Sequence, residues 1–75
     1  MRTINNIKSE AISTVTENDN NIVTITFNSG KSYNYRDNAG NFVDSVQSAI
    51  ENDGSVGRLY NRAVKEDQTL QLVAV

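Results

Sequence analysis

The sequence predicts a small α+β domain: an antiparallel β-meander with two helices packed on it and a C-terminal strand. Three observations carry that prediction. Residues 22–27 alternate strictly, with Val23, Ile25 and Phe27 on one side and Ile22, Thr24 and Thr26 on the other, as a half-buried strand requires. The tight-turn sequence Asn28-Ser29-Gly30 then leads into a second alternating run, so the pair reads as a hairpin. From Asn41 the apolar period becomes helical, with Phe42, Val43, Val46, Ala49 and Ile50 on one stripe.

Taken in order, residues 1–9 are polar and read as irregular, with Ile4 and Ile7 as the sizeable apolar side chains after Met1. Residues 11–16 are rich in β-branched types and form the first expected strand. Glu17-Asn18-Asp19-Asn20-Asn21 is a turn, because Asn and Asp tolerate left-handed backbone. The strand over 31–36 places Tyr33 and Tyr35 on one face, and Asp37-Asn38-Ala39-Gly40 ends it. Asn41 or a polar neighbour caps the first helix and Gly54 closes it. Ser55 caps a shorter helix to about Val64, with Val56, Leu59, Tyr60 and Ala63 inward and Arg58, Arg62 and Lys65 outward. Glu66-Asp67-Gln68 turns the chain into a final strand over 69–75. Both faces of that strand are partly apolar, which fits a central position in the sheet or a covering subunit.

The 75 residues form one domain, near the lower size limit for a self-sufficient core. The chain has no cysteine and no histidine, which removes disulfides, Cys- or His-ligated metals and every Ser-His or Cys-His catalytic arrangement. Association with further copies is the remaining common source of buried surface, so a homo-oligomer is expected. Net charge is −2, which argues against nonspecific coating of nucleic acid. No apolar run is long enough to span a bilayer and the start lacks a basic-plus-apolar leader pattern, so no membrane partner and a cytoplasmic location are expected.

Basic charge, glycine and an aromatic residue gather in one stretch, Asp53-Gly54-Ser55-Val56-Gly57-Arg58-Leu59-Tyr60-Asn61-Arg62. A fresh helix start offers free N–H groups and a positive dipole end, which suits phosphate. In that reading the Ser55 hydroxyl and nearby backbone donate hydrogen bonds, Gly57 permits close approach, and Arg58 and Arg62 pair with the anion. Tyr33, Tyr35 or Tyr60 would stack a base. The plain structural alternative is that Ser55 caps its own helix, Gly57 eases packing, the arginines face solvent and the tyrosines pack under the helices. The acidic residues Asp37, Asp44, Glu51 and Asp53 follow turn and helix spacing and read as a solvated surface rather than a catalytic or cation site.

Ser9 and Ile12, Ile25-Thr26-Phe27 before Gly30, Tyr33-x-Tyr35, and Ser55-x-Gly57-Arg58-Leu59-Tyr60-Asn61 occur in the order and spacing of a known pattern. Over roughly residues 8–65 the chain resembles the KTSC domain, a module at the C-terminus of some lysyl-tRNA synthetases and a stand-alone bacterial and phage protein. The chain departs from that pattern in the step Arg36-Asp37-Asn38-Ala39-Gly40-Asn41 and in its acidic, then apolar, tail after Lys65. The resemblance implies the fold and, through the company the module keeps, a tRNA-related role.

The expected function is a non-enzymatic protein, without cofactor or metal, that holds a small phosphate-bearing ligand such as a nucleotide. By analogy with small phage proteins, it would sequester a host nucleotide signal. The alternatives are a nucleic-acid or tRNA-binding accessory module and a protein-interaction module using its sheet edge.

Overall fold

The computed structural model describes residues 2–73. Five antiparallel strands lie in the order of the chain: β1 (Arg2–Ile4), β2 (Ile12–Glu17), β3 (Ile22–Phe27), β4 (Ser32–Asp37) and β5 (Leu70–Leu72). Two helices, α1 (Phe42–Glu51) and α2 (Val56–Asn61), stand between β4 and β5, and α2 runs on into a π-helical turn, Arg62–Glu66. The α+β meander is therefore as the alternation predicts.

β1 falls in the stretch that reads as irregular from sequence. It pairs Arg2 with Glu17, Thr3 with Thr16 and Ile4 with Val15. Three residues with one apolar side chain are too few to show a period, so this strand exists through its partner rather than its own pattern. Arg2 also reaches Asp44 of α1 at 2.8 Å, tying the sheet edge to the helix layer.

In β2 the register shifts between Ile12 and Thr14. This bulge lets Ile12 and Val15, an odd number apart, both point into the core. Across the sheet, Ile4, Val15, Ile25 and Tyr33 make one row on the helix side, and Glu17, Val23, Tyr35 and Leu72 the next. The opposite face carries Thr3, Thr16, Thr24 and Asn34 in one row and Thr14, Thr26 and Ser32 in another. Neighbouring hydroxyls and amides there bond one another, as in Thr24 to Asn34 at 2.6 Å. Tyr33 and Tyr35 thus share the core face. In the β3–β4 hairpin, Gly30 at φ +93° takes the left-handed position that closes the three-residue loop.

The start of α1 corrects two expectations. Asn41 makes no side-chain capping bond. Asp37 does the capping instead: its Oδ2 accepts the Phe42 N–H at 2.8 Å and its Oδ1 accepts the Gly40 N–H at 3.0 Å. Asp37 is 3% exposed, so it is a structural carboxylate and no part of a solvated acidic surface. Phe42, Val43 and Val46 then fall on the sheet, beside Val15, Val23 and Ile25.

At the other end, the Gly54 N–H reaches the Ala49 carbonyl at 2.6 Å and the Asp53 N–H reaches Ile50 at 3.4 Å, the paired bonds of a Schellman cap. The left-handed residue of this cap is Asp53 (φ +56°), not the glycine. Gly54 serves another need: a Cβ there would lie 3.3 Å from the Ala49 carbonyl oxygen.

Of the two positions that the two-sided apolar pattern of β5 fits, the structure rules out the central one. The strand pairs only with β4 and forms a sheet edge, with Leu70 buried and Leu72 62% exposed. The expected continuation through residues 74–75 lies outside the described residues. Among the described residues every buried side-chain polar atom has a hydrogen-bond partner.

Two stability predictions follow from the ends of α1. Asp37→Ala removes two capping bonds from a buried site and should lower stability by about 2 kcal/mol, with Asp37→Asn losing less, in urea unfolding. Asp53→Gly relieves a left-handed non-glycine and should raise stability by roughly 0.5–1 kcal/mol. For a chain of this size that is an upward shift of several degrees in the melting temperature.

Candidate functional site

Ser55 begins α2 as predicted, its Oγ accepting the Arg58 N–H at 3.1 Å. The Schellman turn at Asp53 and Gly54 places this start against residues 8–11 of the chain, which sequence spacing does not bring near it. There Ser9 is fixed from several sides. Its Oγ accepts the Ala11 and Ile12 N–H groups at 3.2 and 3.3 Å, and its carbonyl accepts Asn28 Nδ2 at 2.9 Å.

Gly57 faces this turn. A Cβ at Gly57 would sit 3.6 Å from Ser9 Oγ and 3.9 Å from Ser55 Oγ, so the two hydroxyls flank a position with no side chain. The groove between the two segments has a volume of about 570 Å3 and is open to solvent. Lys8 and Arg58 bring positive charge to it, and Glu10 and Asp53 bring an equal negative charge. Asn61 completes its polar wall.

Both serine hydroxyls spend a lone pair on backbone N–H groups. Neither donates its own proton to an acceptor among the described residues. Arg58 likewise has no carboxylate within ion-pair distance among the described residues. Beside the carboxylates of Glu10 and Asp53, the groove thus presents two hydroxyl donors and a guanidinium that no side chain among the described residues engages, groups that suit a ligand rich in acceptor oxygens.

The candidate residues separate into groups. Ser55, Gly57 and Arg58 line the groove. Arg62 lies in an adjoining cleft of about 330 Å3 with Ser55, Arg58, Leu59 and Glu66, and its Nε is 3.6 Å from Glu66. Tyr33, Tyr35 and Tyr60 stand elsewhere, around Phe27. Tyr60 packs edge-on against Phe27 and Tyr35 with centroids 5.5 and 5.7 Å apart, and Tyr33 against Phe27 at 5.9 Å. Tyr35 is 5% exposed and its hydroxyl bonds that of Tyr60 at 2.6 Å, so its ring belongs to the core and offers no face to a base. Tyr33, 39% exposed, keeps an open surface but not in the groove.

Sequence reasoning about the site missed Lys8 and Glu10, gave Asn61 no role beyond its place in the 53–62 stretch, and brought in Ser9 only through the KTSC-like pattern. Their one visible signal was membership of polar segments; the contact between residues 9 and 57 belongs to the folded chain. Among the described residues no group of three or more carboxylates stands close enough to hold a metal ion, and no helix is long and apolar enough to cross a membrane. Comparison with protein-family models, curated proteins and solved structures finds no match.

Burial, and then the hydrogen bond the Tyr35 hydroxyl shares with Tyr60, push the Tyr35 phenol well above the ordinary tyrosine range. The folded state therefore keeps a proton that the unfolded chain releases near pH 10. The Tyr35 contribution is fully present below that pH and is lost as pH rises above it. Unfolding free energy measured in urea should fall between pH 9 and about pH 11, less steeply in Tyr35→Phe. Equal slopes for the two chains would contradict this assignment.

Proposed function

We propose that this chain is a non-enzymatic binding domain whose groove between residues 8–11 and α2 holds a small phosphate-bearing ligand. One observation supports this above the others. The uncommitted hydroxyl protons of Ser9 and Ser55 flank Gly57, with Arg58 free of an acidic partner among the described residues. Phosphate oxygens accept from both hydroxyls and from the guanidinium, and the missing side chain at Gly57 gives them room.

The charge around the groove favours a small ligand over a polymer. Lys8 and Arg58 are balanced by Glu10 and Asp53, so there is no extended positive track for a polyanion to follow. No aromatic ring lines the groove, so a nucleotide would be held by its phosphate rather than by stacking on Tyr33, Tyr35 or Tyr60. The KTSC resemblance belongs to the same proposal, since its residues Ser9, Gly57 and Arg58 are those that meet here. Sequestration of a nucleotide signal is the biological role that fits a small domain with such a groove.

A second reading has its own support at the sheet edge. The Asn38 N–H donates to Thr69 and the Val73 N–H donates to Asn34, so Leu70 and Leu72 turn their N–H and C=O groups away from β4. With Leu72 exposed beside them, this edge suits strand addition by a protein partner.

Dye-monitored melting against inorganic phosphate, mononucleotides, cyclic dinucleotides and short RNA separates these readings. A ligand at about a hundred times its dissociation constant stabilises by roughly 2.7 kcal/mol, a shift on the order of 10–20 °C for so small a domain. The expected result is a shift with one class of small phosphate compound that is lost in Arg58→Ala and in Gly57→Leu. A shift only with RNA at low salt favours the accessory-module reading. A flat panel overturns the groove as a phosphate site and leaves the β5 edge, where Leu72→Lys should abolish partner capture.

A further inference from the structure

The C-terminal cap of α1 is built from the dipeptide Asp53-Gly54, the chain's single Asp-Gly sequence; there is no Asn-Gly. The structure explains why the glycine is there. Any larger residue at 54 would bring its Cβ to 3.3 Å from the Ala49 carbonyl oxygen, closer than a Cβ ordinarily approaches a backbone atom. The same missing side chain leaves the Gly54 backbone nitrogen unshielded toward the Asp53 carboxyl group.

We propose that Asp53-Gly54 is a site of spontaneous isoaspartate formation, held in check by the Schellman cap of α1. In the reaction the Gly54 nitrogen attacks Asp53 Cγ. The new N–Cγ bond forms, a Cγ–O bond breaks, and the amide proton leaves with that oxygen as water, giving a five-membered succinimide. Water then adds back at either ring carbonyl. Opening at the side-chain carbonyl restores aspartate, and opening at the backbone carbonyl leaves the chain running through the side chain as isoaspartate. No oxidant, metal or other reactant enters.

The fold opposes the first step. The Gly54 N–H is committed to the Ala49 carbonyl at 2.6 Å, and Asp53 is held at φ +56° by the same turn. Attack therefore requires the last turn of α1 to open. Helix ends open far more readily than the core, so the native chain reacts slowly rather than never. The product carries an extra backbone methylene between residues 53 and 54. That shifts Ser55 and the start of α2, and with them the wall of the groove that Asp53 and Gly54 line. This holds whatever the groove binds.

The test is incubation of the full chain at 37 °C and pH 7.4, folded and in urea, with isoaspartate located by peptide mapping after enzymatic methyl labelling. In urea, label should accumulate at residue 53 ahead of Asp19, Asp37, Asp44 and Asp67. In the folded chain it should appear at the same residue about tenfold more slowly or less, the factor that a local opening cost of about 1.4 kcal/mol gives. Asp53→Glu, whose longer side chain would have to close a six-membered ring, should lose the label in both conditions. The aged, labelled fraction of the wild-type chain should melt below the fresh protein. Equal rates in the folded and unfolded chain would overturn the protective role of the cap. Absence of label at residue 53 in urea would overturn the site itself.

Discussion

A buried carboxylate sets the geometry on which the rest of this domain depends. Asp37 ends β4 on the core side of the sheet, where a charge without partners would cost several kcal/mol. Its two oxygens accept the Gly40 and Phe42 N–H groups, which fixes both the reversal of the chain and the first turn of α1. Phe42, Val43 and Val46 are then committed to the sheet. Opposite Asp37, Leu70 of β5 packs under the helices and closes the edge of the core. A loop released at Asp37 would loosen both sides of this junction.

The groove inherits its shape from that junction through α1. Ten residues of helix carry the chain from the Asp37 cap to the Schellman turn, which delivers Ser55 to the position opposite Ser9. The Tyr35–Tyr60 hydroxyl bond and the edge-on packing of Tyr60 on Phe27 hold α2 down against the sheet. Tyr35 and Tyr60 therefore position the helix that bears Gly57 and Arg58, while their rings remain in packing. What the groove offers a ligand is hydroxyl and guanidinium donors, since the formal charges of its lining cancel. Such a site discriminates by hydrogen-bond geometry more than by long-range attraction.

Much of the fold was legible because alternation and helical period are local signals. Val23, Ile25 and Phe27 declared the face of β3, and the stripe from Phe42 to Val46 declared the face of α1. Ser55 was legible as a cap for the same reason. What the sequence hid was non-local. The three residues of β1 carry no period, and the role of Asp37 depends on groups three and five residues on that only a closed loop brings to it. The reading of Gly54 as the residue that closes α1 missed that Asp53 takes the left-handed position of the cap while Gly54 relieves a close approach to Ala49. In the site, Ser55, Gly57 and Arg58 were visible as one segment, whereas Lys8, Ser9 and Glu10 reach them only through tertiary packing.

The most direct test is a nitrogen-15 NMR titration of the wild-type domain with inorganic phosphate and then with a mononucleotide. The groove account predicts saturable shifts concentrated at the amides of Ser9, Ser55, Gly57 and Arg58, with the Tyr33 and Tyr35 amides still. Shifts spread along β5, or saturable shifts confined to surfaces away from these four residues, would contradict it.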